Sequence, residues 1–111
     1  MLETNNNNLA SLPDKIVEIK LKSKHPEAVK SIIKSALMAA LQSTDNGIKI
    51  TERRLDEFET KYQLSTAEFL HKFNNNELPH SGDFDEWIGE SRMLAHLLDK
   101  KTKIQGVELV D

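Results

Sequence analysis

The stretch "LQSTDNGIKITERRLDEF", Leu41 to Phe58, decides the fold, because it either turns at Asn46-Gly47 or runs straight through. Asn-Gly is a strong turn signal. Phase argues the other way. Leu37, Leu41, Thr44, Ile48, Thr51, Leu55, Phe58 and Tyr62 follow one another by three or four residues without a slip. A turn has no reason to keep that spacing, whereas one face of a helix requires it. The phase favours one helix over roughly residues 26 to 62, with Gly47 costing about 1 kcal/mol relative to Ala. The alternative is an αα-hairpin bent at Gly47.

Upstream, the helix starts near His25-Pro26, since Pro loses nothing in a first turn whose N–H groups have no partner. Val29, Ile32, Ile33, Ala36, Leu37, Ala40 and Leu41 continue the stripe, and the small Ala36, Ala39 and Ala40 allow another helix close approach. Before it, "KIVEIKLK", Lys15 to Lys22, alternates. Val17, Ile19 and Leu21 fall on one face, and Glu18, Lys20 and Lys22 on the other, with Ile16 the exception. This reads as a half-buried strand. A strand needs a partner for its backbone groups. Two are available: residues 107–110, "VELV", after the stop at Gly106, or the same strand of a second subunit.

Downstream, "STAE" is a capping box with Ser65 as cap and Glu68 three residues on, and Leu64 and Phe69 occupy the staple positions around it. A second helix therefore starts at Ser65 or Thr66 and carries Phe69, Leu70 and Phe73. A third runs from Asp83 or Phe84 to about Lys101, with Phe84, Trp87, Ile88, Leu94 and Leu98 on one face. Asp83, Asp85 and Glu86 suit its N-terminal end, and Lys100, Lys101 and Lys103 its C-terminal end. The fold expected is mainly α: a long N-terminal helix with two shorter helices packed on it, one short strand at 15–22 and a candidate second strand at 107–110. Residues 1–14, rich in Asn, read as a disordered arm, and 15–111 as a single helical domain.

Composition limits function. Of 111 residues, 38% are apolar and 30% charged. That balance suits long helices that each bury only a stripe. The core is small, and a helical protein that self-associates fits it. No cysteine is present, which excludes disulfides, thiol catalysis and cysteine-ligated zinc. No apolar run reaches the length of a membrane span, and the first residues lack the pattern of a signal peptide. A cytoplasmic protein is expected, with no membrane partner. Net charge is −3, spread unevenly: residues 1–50 hold seven lysines against five acids, and residues 51–111 eight basic groups against thirteen acids.

Candidate chemistry is sparse. His25, His71, His80 and His96 lack the i, i+3 or i+4 pairing of a helical metal site. "DFDEW", Asp83 to Trp87, lacks the Gly-punctuated loop of a calcium site and reads as helix-start acids with core aromatics. "GES" at Gly89 to Ser91 lies inside a helix and is no nucleophile elbow. No set of catalytic, cofactor-binding or metal-ligating residues emerges, and none is expected. One nucleic-acid reading exists. If two copies pair the strand at 15–22, as ribbon–helix–helix proteins do, Lys20 and Lys22, flanked by Lys15 and Lys24, would face the DNA. Glu18 at the centre weakens it, and the following helix is longer than that fold uses.

"TERRLDEFETKYQLSTAEFLHKFNNNEL", Thr51 to Leu78, followed by the "DFxEW" of Asp83 to Trp87, resembles small prokaryotic proteins that are antitoxin-like members of toxin–antitoxin modules. The resemblance covers about a third of the chain. It implies a helical, non-enzymatic partner protein, dimeric and encoded beside a toxin-like protein, with no catalytic residues to carry over. The residue stripe itself proposes a dimer seam along the first helix: Val29, Ile33, Leu37, Leu41, Ile48, Leu55 and Phe58.

Overall fold

The structure is a computed structural model and describes residues 15–110. The arm expected over 1–14 lies outside them. Three helices follow in order: α1, Pro26–Tyr62; α2, Thr66–Asn74; and α3, Gly82–Gln105.

Helix α1 is unbroken through Gly47. The buried residues on it, Thr44, Ile48, Thr51 and Leu55, are the middle of the stripe that kept phase. Gly47 lies on the side turned to α3. A Cβ built there would sit 3.2 Å from Leu97 Cδ1. Leu97 therefore packs over a backbone without a side chain, and this contact overrides the local turn preference. Asp45, two residues earlier, forms a 2.8 Å ion pair with Lys101 of α3. Thr44 is 2% exposed, and its hydroxyl donates to the Ala40 carbonyl at 2.7 Å, so the burial leaves no orphan. Gly47→Ala is expected to raise stability by about 0.5 kcal/mol: the helix-propensity gain of about 1 kcal/mol exceeds the cost of moving one end of the half-buried Leu97 by a few tenths of an ångström. Thermal denaturation should show a Tm higher by a few degrees. A chain bent at Gly47 would lose stability instead.

Helix α1 ends at Gln63, which adopts the left-handed conformation (φ 52°, ψ 48°) and donates its N–H to the Glu59 carbonyl. Ser65 then starts α2. Its Oγ accepts from the Glu68 N–H at 3.1 Å and donates to Glu68 Oε1 at 2.9 Å. The capping box thus closes through the two side chains. A second cap comes from α1: Glu59 Oε2 accepts from the Thr66 N–H at 2.7 Å. Helix α3 begins earlier than the sequence suggests, at Gly82, because Ser81 Oγ caps the Phe84 N–H at 3.1 Å. It also ends later, at Gln105. An Asp99–Lys103 pair at i,i+4 spacing and the half-buried Ile104 carry it past Lys101.

α1 and α3 are antiparallel, and a ladder of contacts fixes their register. Lys61 meets Asp83, Arg54 meets Glu90, Gly47 meets Leu97, and Asp45 meets Lys101. α2 covers only the end where the two helices join. There lies the core: Trp87 and Phe69 are fully buried, with ring centroids 3.9 Å apart and planes 1° from parallel. Phe58 stacks on Trp87 at 5.5 Å, and Leu55, Tyr62 and Phe84 complete the cluster. The Trp87 indole N–H donates to Thr66 Oγ1 at 2.9 Å, so the largest buried side chain is also satisfied.

The strand expected at residues 15–22 is not formed, nor is the candidate at 107–110; among the described residues there is no strand. The alternation of "KIVEIKLK" supplies β propensity, but a ladder requires a second edge, and the two segments do not pair. Gly106 and Val107 instead prolong the end of α3 with N–H bonds to the Thr102 and Ile104 carbonyls. Ile16, Val17, Ile19 and Leu21 stay 67–89% exposed.

Candidate interaction surface

The antiparallel register leaves α1 longer than α3. At 1.5 Å per residue, α1 spans about 55 Å and α3 about 36 Å, and the molecule measures 58 × 39 × 18 Å. Near Pro26, about 20 Å of α1 therefore runs on beyond α3. The C-terminal tail lies beside this overhang, and the two enclose an apolar groove of about 630 Å³ floored by Leu37, Met38, Leu41, Ile104, Val107 and Leu109. Glu27, Lys30 and Lys34 rim it.

The proposed seam residues divide accordingly. Ile48 and Leu55 are buried inside the chain, and Phe58 packs against the aromatic cluster. Val29, Ile33, Leu37 and Leu41 are only half-buried. Ile32 and Met38 beside them are 66% and 64% exposed. One stripe thus serves as core at one end and as open apolar surface at the other. Lys15, Lys20, Lys22 and Lys24 are all exposed on the arm before α1, without the ladder that would hold them in one row.

A second, polar groove of about 490 Å³ lies at the core end between α1 and α3, lined by Arg54, Glu57, Phe58, Lys61, Asp83 and Glu86 together with Glu90. Four of its six charges pair with one another. Arg54 pairs with Glu90 at 3.0 Å, and Asp83 accepts from Lys61 Nζ at 2.6 Å and from the Tyr62 hydroxyl. The hydrogen bonds from Lys61 and Tyr62 hold the Asp83 carboxyl below its ordinary value. Reciprocally, hydrogen bonding to Asp83 raises Lys61 and Tyr62. A carboxyl with a lowered folded pKa contributes stability that is present above its unfolded value and is lost as pH falls through the folded one. Wild type should therefore exceed Asp83→Asn in Tm by a constant amount from pH 5 to 8, and the difference should vanish well below pH 3.8, the ordinary Asp value. A difference independent of pH down to strong acid would contradict the clamp.

The four histidines are exposed and scattered. His71 lies beside Asn75, and His80 sits edge-on to Phe73. Among the described residues, no three His, Cys, Asp or Glu side chains gather as they would around a metal ion. No helix among them is long and apolar enough to cross a membrane.

Sequence reasoning does not identify the cross-helix polar partners: Glu59 at the α2 start, Thr66 under Trp87, and Asp83 opposite Lys61. The last had a usable signal, because two helices joined through a capped corner must place the end of one beside the start of the next. No protein-family model, no curated protein and no solved structure matches the chain.

Proposed function

We propose that this chain is a non-enzymatic protein–protein interaction module, antitoxin-like in kind, that acts as a homodimer joined through the N-terminal half of α1 and binds a cognate toxin-like protein in the cytoplasm. The observation that supports it most is the surface left open. The chain exposes 9133 Å², against roughly 6,200 Å² for a compact monomer of its mass. Its radius of gyration is 20.0 Å, against about 13 Å for a compact chain of this length. Large aliphatic side chains cluster at one end, where contiguous exposed apolar surface marks an interaction site. The dimer accounts for Val29, Ile32, Ile33 and Leu37; the resemblance across residues 51–88 supports the partner. Co-expression with the product of the adjacent reading frame tests that part. Joint elution as a complex of fixed stoichiometry is expected, and separate elution of both would count against it.

A second reading, a DNA-binding regulator, is favoured by one observation: four lysines, 15, 20, 22 and 24, are exposed on a single arm. It predicts retardation of duplex DNA at low salt, weakened tenfold or more by Lys20→Ala with Lys22→Ala, and an affinity that falls steeply as salt rises. No retardation at low salt removes this reading and leaves the first intact.

A further inference from the structure

We propose that the dimer is arm-exchanged: residues 15–21 of each copy lie in the apolar groove of the other, against Leu37, Met38, Leu41, Ile104 and Leu109. This rests on the dimer reading above and names the surfaces it uses. Three observations meet in it. The arm carries a period-two apolar face, Val17, Ile19 and Leu21, that stays 67–89% exposed in its own chain. The groove offers an apolar floor along the α1 overhang. The dimensions match, since seven residues drawn out as a strand reach about 23 Å and the overhang is about 20 Å long.

The occupant is a second copy and not the chain's own arm. The chain bends at Lys24 and His25, and the bend is held by the His25 N–H donating to Ser23 Oγ at 2.9 Å. His25 precedes Pro26 and is thereby disfavoured from the helical backbone that a tight reversal would use. The bend leaves Ile16 and Ile19 at 88% and 89% exposure, clear of their own helix. Reciprocal exchange closes into a two-fold dimer that leaves neither groove open. In the groove the arm also gains a backbone neighbour, because the tail at 107–110 runs along its edge outside any ladder. The alternation in "KIVEIKLK" then encodes a strand that forms between subunits.

The absence of cysteine makes the test direct. Ile19→Cys is combined in one chain with Met38→Cys, and in another with Leu109→Cys; both are oxidised and run on a non-reducing denaturing gel. A band at twice the 12.6 kDa chain mass from at least one double variant, absent from each single variant, is expected. A cross-link retained within one chain overturns the exchange in favour of a folded-back arm. A doubled band from Ile19→Cys alone overturns it in favour of arm pairing with arm. No cross-link overturns it as well, and the dimer reading survives if the unmodified chain sediments at twice its mass. Sedimentation at the single mass removes both.

Discussion

Trp87→Ala is expected to unfold the protein or leave it barely folded. Trp87 is fully buried, stacks on Phe69 and Phe58, and joins α1, α2 and α3 in one contact set. Truncating such a residue costs about 3–5 kcal/mol. A small domain has about 5–15 kcal/mol in total, and among the described residues only four large apolar side chains, Ile48, Leu55, Phe69 and Trp87, are buried. The effect should be a loss of cooperative melting and of most helical circular dichroism at 37 °C. Trp87→Phe keeps the ring stack but leaves Thr66 Oγ1 without its 2.9 Å donor. It should cost less, about 1–2 kcal/mol. Equal effects from both would mean that the stack contributes little.

The second large effect separates the two ends of α1. Leu55→Asp places a carboxylate among Phe69 and Trp87, where no cation is at hand, at a cost of several kcal/mol. It should unfold the chain at any concentration. Leu37→Asp places the same charge in the open groove. The monomer should fold with its helical content intact, while self-association weakens by about two decades in Kd. Similar unfolding by both would make the whole stripe intramolecular core, and the dimer reading would fall. Identical masses for Leu37→Asp and wild type would place the interface elsewhere.

The contrast also shows what the sequence could and could not carry. The phase from Leu37 to Tyr62 was enough to read α1 through an Asn-Gly pair, because burial along a continuous face outweighs one residue's turn preference. Ser65 was legible because its partner Glu68 is three residues away. Ser81 is hidden behind Gly82, a residue that reads as loop, so the local pattern places the start of α3 too late. The strand at 15–22 fails for a different reason. Its alternation is a statement about one segment, while a ladder is a statement about two, and the chain brings no second edge to it. Asp83 reads as a helix-start acid, and so it is, but its pairing with Lys61 and Tyr62 depends on the register of two helices and lies outside any local pattern. The same holds for the open groove: the sequence shows an apolar stripe, and only the lengths of α1 and α3 show which part of it α3 leaves uncovered.

Sedimentation equilibrium of the unmodified chain across the micromolar range tests the account most directly. Association through the open end of α1 predicts a mass of twice 12.6 kDa, falling to the single value for Leu37→Asp. A mass of 12.6 kDa at every concentration, with full helical circular dichroism, would contradict it.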